Sequence, residues 1–170
     1  MDDETKEVAA EDKTTPIALR AIKINNPLWI GNIASMIQKY VDILKVPSIT
    51  YETLYTYFVN IAQYGGDNSE FWVVFSDDEP IAFGCWFVRG LPHRGATFFD
   101  HIYSWNRMSD PVGLLCDEYI KFSDRHNCPI YEGVAINEVV WKVHKRNADK
   151  KNVNIEKTGQ VFFQGRKRRN

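Results

Sequence analysis

Apolar and polar residues alternate, or recur at helical spacing, along most of residues 16–164, which predicts a sheet covered by helices. A first strand follows Pro16, and two helices come after it. Pro27 favours the start of the first helix, and Thr50 or Ser48 can cap the second. The pair Gly65-Gly66 is expected to end that second helix.

The second half of the chain predicts strands and helices in alternation. In chain order they are a hairpin over residues 71–89, a strand over 96–105, a helix over 111–126, a strand over 129–136, a helix capped by Asn137 and a hairpin over 153–164. We find no internal repeat, and 170 residues is a natural size for one compact domain. Residues 16–164 are therefore expected to form a single domain.

The two ends of the chain carry opposite charge, although the formal net charge of the whole chain is only -1. Residues 1–15 are polar and mostly acidic, which predicts a flexible N-terminal arm. Residues 165–170 form a basic tail that contains Arg166, Lys167, Arg168 and Arg169. Both ends are expected either to be solvated or to contact neighbouring subunits or phosphates, including a weak contact of the basic tail with nucleic acid.

The cysteines and the apolar runs exclude several classes of protein. The three cysteines, Cys85, Cys116 and Cys128, contain no C-x-x-C pair, so neither a disulfide framework nor a zinc site is indicated. No apolar run is long enough for a membrane span, and the N-terminus does not resemble a signal peptide. We therefore expect a soluble protein made in a reducing cytoplasm, with no bound metal.

The turn between the strand at 96–105 and the following helix has the position of a phosphate-binding turn but lacks its glycines. A strand that enters a helix through a tight turn presents free backbone N–H groups to an anion. Here Gly113 is the single glycine, Pro111 has no N–H, and Asp110 is expected to cap the helix. Because a capping carboxylate uses the same N–H groups and repels anions, the turn is predicted to stabilise the fold.

The order of elements resembles that of the GCN5-related N-acetyltransferases (GNAT) over nearly all of residues 16–164. Two local patterns support the resemblance: the strand, turn and helix that begin at Ala96, and Val134-Ala135-Ile136-Asn137 leading into a helix. The resemblance implies an α/β fold of the α+β type. Its central sheet would be mixed, mostly antiparallel and twisted, with about seven strands flanked by about four helices.

The resemblance also implies where a pyrophosphate-binding motif, R/Q-x-x-G-x-G/A, should lie. If Arg107 occupies the first position, Asp110 and Val112 stand where the family has small residues. If Gly113 is the last glycine instead, Met108 stands at the arginine position. Neither alignment reproduces the motif.

If the chain is nevertheless an enzyme, the resemblance implies a set of candidate site residues. The catalytic candidates are Asp100, as a base on the fourth strand, and His144, at the position where the family often has a tyrosine that acts as general acid. By strand alternation, Asp100 and His101 are expected on opposite faces of the sheet. The candidates for binding acetyl-CoA are Arg107, Ser109, Val112 and Gly113.

The broken motif favours a catalytically degenerate GNAT-like protein. We expect a structural or adaptor component of a larger assembly, similar to acetyltransferase-like proteins of tailed bacteriophages, located in the host cytoplasm or the virion. Its partners would be other protein subunits or copies of itself, which the five tryptophans favour, and it would need no cofactor. The alternative is a divergent acetyl-CoA-dependent N-acetyltransferase. A third possibility is a nucleic-acid-binding accessory protein that uses the basic tail.

Overall fold

The computed structural model describes residues 18–90, 95–105, 109–128, 130–135, 138–157 and 162–167. The predicted acidic arm, residues 1–15, lies outside the described residues. Arg107 lies outside them as well, as do Arg168 and Arg169 of the predicted basic tail.

Within the described residues, seven strands and four α-helices follow one another in the predicted order, with a 3₁₀ helix, Pro27–Ile33, before the first α-helix. They are β1 Leu19–Lys23, α1 Ala34–Leu44, α2 Tyr51–Tyr64, β2 Ser69–Ser76, β3 Glu79–Arg89, β4 Ala96–Ser104, α3 Ser109–Arg125, β5 Ile130–Val134, α4 Glu138–Lys150, β6 Val153–Lys157 and β7 Phe162–Lys167. The strands form one sheet in the order β1-β2-β3-β4-β5-β7-β6. Of its neighbouring pairs, β4 and β5 are parallel and the others antiparallel, so the predicted α+β fold is confirmed.

The ends of the first two helical segments follow from local side-chain chemistry. The side chain of Asn26 accepts a hydrogen bond from the N–H of Leu28 at 3.0 Å, which starts the 3₁₀ helix at Pro27. The sequence predicts one α-helix that starts at Pro27. This prediction is wrong for residues 27–33, which form a 3₁₀ helix before α1. Thr50, rather than Ser48, caps α2, where Thr50 and Thr53 form a capping box.

Two other predicted boundaries are wrong. Helix α3 begins at Ser109, so Asp110 lies inside its first turn and is not the N-cap. Pro111 is compatible with this start because the first N–H groups of a helix have no partner within the helix. Strand β7 continues to Lys167, so residues 165–167 of the predicted basic tail belong to the sheet, where Arg166 pairs with Ile130 and Asn154.

Helices cover both faces of the sheet, and each face has its own hydrophobic core. Helices α1 and α2 pack on one face, which we call the α1/α2 face, against residues such as Phe71 and Phe83. Helices α3 and α4 pack on the other, the α3/α4 face, against Trp86 and Phe99. No helix among the described residues is long and apolar enough to cross a membrane.

Candidate active site

The parallel strands β4 and β5 pair over the first four residues of each, which is nearly the whole length of β5 but less than half of β4. Their pairing runs from Ala96 opposite Ile130 to Phe99 opposite Gly133. Strand β4 continues to Ser104, paired on its other side with β3. Within the described part of the chain, residues 100–104 thus have no partner in β5, and a gap opens along this edge of β4. The gap lies in the middle of the sheet.

A β-bulge in β4 lies where the gap begins. Cys85 of β3 is opposite His101, whereas the next residue, Trp86, is opposite Phe99, so Asp100 is an extra residue in β4. An extra residue shifts the alternation of side chains along the strand. Asp100 and His101 therefore both contact residues of the α1/α2 face, and the prediction that they lie on opposite faces is wrong.

Asp100 and His101 form a polar cluster with two tyrosines, which we call the β4 polar cluster: Tyr40, Tyr57, Asp100 and His101. The Tyr57 hydroxyl donates a hydrogen bond to Asp100 Oδ2 at 2.7 Å. His101 Nε2 lies 3.5 Å from the same oxygen, and His101 Nδ1 lies 3.1 Å from the Tyr40 hydroxyl. The Asp100 and His101 side chains are 24% and 15% exposed, so the cluster is partly open to solvent.

Burial sets the protonation of this cluster. It lowers the pKa of His101, and the opposing effect of the Asp100 charge is smaller. Burial also raises the pKa of Tyr40, of Tyr57 and of the neighbouring Cys85 thiol far above their ordinary values. At neutral pH the histidine is therefore neutral, and these hydroxyl and thiol groups keep their protons. The one carboxyl group of the cluster belongs to Asp100.

The N-terminus of α3 lies at the end of β4, where the sequence placed the cofactor-binding candidates. Ser109 is the first residue of α3, Val112 is buried, and Asp110 is an exposed acid in the first turn. Arg107 lies outside the described residues, so this candidate stays a prediction. Gly113 brings the α3 backbone close to α4: a Cβ at Gly113 would lie 3.6 Å from Asn147 Oδ1.

Asn147 has an unusual environment for an amide side chain. It is only 3% exposed, and its Nδ2 is the one buried side-chain nitrogen or oxygen without a hydrogen-bond partner among the described residues. A buried donor without a partner costs about 1–3 kcal/mol, so such groups commonly have a ligand or water as their partner. An amide N–H is a donor that the amide and phosphate oxygens of an acyl-CoA can accept from.

His144, the second catalytic candidate, lies on the α3/α4 face. Its ring is 5.8 Å from that of Phe99, and it lines a cavity of about 40 Å³ together with Tyr119 and Tyr131. Burial lowers its pKa to about 4, so the ring is neutral at neutral pH. The structure therefore separates His144 from Asp100 by the thickness of the sheet. Its role as an acid stays a prediction.

The sequence did not identify the two tyrosines of the β4 polar cluster. Tyr57 occurs in the apolar repeat of α2, as a core residue would, and Tyr40 occurs in the middle of α1. Nothing in their local sequence distinguishes a tyrosine that fills the core from one whose hydroxyl contacts a functional side chain. The signal is the contact itself, which depends on the register of the bulge in β4.

No protein-family model and no curated protein matches this sequence. Solved structures do match it. A predicted acetyltransferase from Clostridium acetobutylicum, solved with acetyl-CoA, has a TM-score of 0.61 at 15% identity and covers 76% of this chain and 88% of its own. An acetyltransferase of the GNAT family from Streptococcus pneumoniae has a TM-score of 0.61 at 13% identity, covering 88% and 99%.

A third similar structure is the diaminobutyrate acetyltransferase EctA from Paenibacillus lautus, in complex with L-2,4-diaminobutyric acid and coenzyme A. Its TM-score is 0.64 at 11% identity, and the match covers 88% of this chain and 95% of that one. The chain therefore has the fold of the GNAT acetyltransferases. At these identities the likeness concerns the fold alone, and function has to be argued from the site.

Proposed function

We propose that the chain is an acyl-CoA-dependent N-acyltransferase, with Asp100 as the general base for its acceptor amine. The observation that carries the proposal is the bulge at Asp100, which puts a partly exposed carboxylate beside the gap between β4 and β5. Within the described part of the chain, residues 100–104 along this gap are not paired with β5, which leaves this edge of β4 as the proposed place for a ligand in extended conformation. The fold shared with acetyltransferases supports the proposal. It favours a divergent acetyl-CoA-dependent N-acetyltransferase over a catalytically degenerate protein.

Acyl transfer to an amine needs a base and good positioning rather than a covalent intermediate. Asp100 accepts one proton from the acceptor ammonium and leaves a neutral amine. The nitrogen lone pair attacks the acyl carbonyl carbon, a C–N bond forms, the C–S bond breaks, and the second amine proton leaves with the CoA thiol. Tyr57 holds the Asp100 side chain in place by donating a hydrogen bond to Oδ2.

The acyl-CoA would be held between α3 and α4. The positive end of the helix dipole at the start of α3, beside Val112 and Gly113, favours an anion. Asn147 Nδ2 supplies a buried donor next to Gly113, and the hydroxyl of Ser109 and the guanidinium of Arg107 are further proposed contacts.

The proposal is tested by following CoA thiol release from acetyl-CoA with a panel of primary amines. We expect at least one amine to support turnover. The substitution Asp100→Asn should lower kcat/KM about 10²–10⁴-fold, the range typical of a lost general base. Asp42→Asn, an exposed acid on α1, is the matched control and should leave turnover unchanged. Equal rates for the Asp100 variant and the wild type would contradict the assignment.

One observation favours a non-catalytic structural or adaptor protein as the second candidate. Asp110 is an exposed carboxylate in the first turn of α3, where it weakens binding of a pyrophosphate. On this alternative the protein binds no acetyl-CoA and acts through other subunits, and its suggested place in a bacteriophage virion stays a prediction. A contact between nucleic acid and the basic side chains at the C-terminus also stays a prediction; Arg166 and Lys167 lie in β7.

A further inference from the structure

We propose that Tyr40 and His101 are positioning residues that fix Asp100, so that its Oδ1 is left for the acceptor amine. The inference rests on the proposed acyltransferase function. It assigns a task to a buried tyrosine on α1 and to a histidine that does not itself have to touch the substrate. The three side chains lie in a row that runs from the core of the α1/α2 face to the gap in the sheet.

The first step is the direction of the hydrogen bond between Tyr40 and His101. The Tyr40 hydroxyl oxygen lies 3.1 Å from His101 Nδ1. A hydroxyl has a single hydrogen to donate. Among the described residues, His101 Nδ1 is the acceptor that lies within hydrogen-bond distance of that hydroxyl. Tyr40 therefore donates, and Nδ1 accepts.

The second step is the tautomer of His101. Because burial lowers its pKa, the ring is neutral at neutral pH and carries one N–H. With Nδ1 accepting from Tyr40, the hydrogen is on Nε2, and Nε2 faces Asp100 Oδ2 at 3.5 Å. A hydrogen bond at one ring nitrogen thus determines which group the other nitrogen presents, as in other sites that orient an imidazole.

The third step concerns the two oxygens of Asp100. Oδ2 receives the Tyr57 hydroxyl and faces His101 Nε2. Within the described part of the chain, Oδ1 has no hydrogen-bond donor. A carboxylate can accept about four hydrogen bonds, so Oδ1 retains its full capacity for an ammonium group. One oxygen holds the side chain in place, and the other is free to take the proton.

The surroundings of His101 explain why Tyr40 matters for this arrangement. The titratable groups facing the ring are Tyr40 from α1, Tyr57 from α2, Cys85 from β3 and Asp100 beside it in β4. Asp100 is the one charged group among them. If Tyr40 no longer occupied Nδ1, that nitrogen could take a proton. The resulting imidazolium would pair with Asp100 and withdraw it from the amine.

Nitrogen-15 NMR of histidine-labelled protein tests the inference without any need for turnover. In the wild type we expect His101 as the Nε2–H tautomer at neutral pH. In Tyr40→Phe, which removes one hydrogen bond to the neutral ring, the pKa of His101 should rise by about 0.5–1 pH unit. Tyr103→Phe is the matched control: it removes a hydroxyl from the same face of β4, has no hydrogen bond to His101, and should change neither quantity.

The kinetic test uses the same variants and an amine that the wild type accepts. In Tyr40→Phe the acidic limb of the pH profile of kcat/KM should move to higher pH by the same amount as the NMR titration, with KM on the plateau unchanged. An Nδ1–H tautomer in the wild type, or an unshifted His101 in a folded Tyr40→Phe, would overturn the inference. If Tyr40→Phe does not fold, the wild-type tautomer still decides. The expected tautomer without turnover of any amine would support the hydrogen-bond arrangement and reject the proposed acyltransferase.

Discussion

The free energy of unfolding should fall less on acidification in the variant His144→Gln than in the wild type. In the folded chain, burial lowers the pKa of His144 from 6.5 to about 4. Below about pH 6.5 the unfolded chain binds a proton at this histidine, while the folded chain does not until about pH 4. The free energy of unfolding therefore falls as the pH drops through this window, and the full effect is about 3 kcal/mol.

Urea unfolding, followed by tryptophan fluorescence, measures this effect in wild type and His144→Gln. Between about pH 7 and pH 4.5 the wild type should lose about 2–3 kcal/mol more than the variant. Other titrating groups, such as Glu70 and His101, are present in both proteins, so the difference between the two curves isolates His144. Parallel curves, or an NMR titration of His144 with a midpoint near the ordinary value, would refute the reasoning.

Two further predictions concern the core of the fold. Glu70 is buried and accepts hydrogen bonds from two cationic side chains and from the indoles of Trp72 and Trp86. Glu70→Ala should therefore lower the free energy of unfolding, measured in urea, by about 1–3 kcal/mol. Unchanged stability would contradict this role. A Cβ at Gly65 would lie 2.5 Å from a backbone oxygen of α2, so Gly65→Ala should lower the Tm measured by circular dichroism. In Gly31→Ala the nearest atom to the new Cβ is 3.9 Å away, and the Tm should not change. Equal Tm values for the two variants would contradict this prediction.

Local signals in the sequence predicted the helices and strands well. The cap at Thr50 and the stop at Gly65 bound α2, because both depend on residues within a few positions of the helix end. The hairpin between β2 and β3 turns at Asp77, whose positive φ of 53° suits the short polar side chain of an aspartate. The order of these elements was then sufficient to predict the GNAT-like fold.

The candidate site could be predicted only in part, because its geometry depends on pairings between distant residues. The bulge at Asp100 is a mismatch between β3 and β4, and no period along β4 alone reveals it. The burial of His144 depends on how α4 packs over Phe99, and its sequence neighbours, which are basic, do not indicate a buried position. The sheet position of Arg166 likewise requires β5 and β6 as neighbours, so composition alone suggested a tail.

Calorimetric titration of the full chain with acetyl-CoA tests whether the gap beside β4 serves acyl transfer from acyl-CoA. We expect saturable binding with one acetyl-CoA per chain. The substitution Gly113→Trp should weaken it strongly, because a large side chain would fill the space between α3 and Asn147. Gly31→Ala, far from this place, should bind like the wild type. No detectable heat at millimolar acetyl-CoA, or equal affinity for the Gly113 variant, would contradict the account.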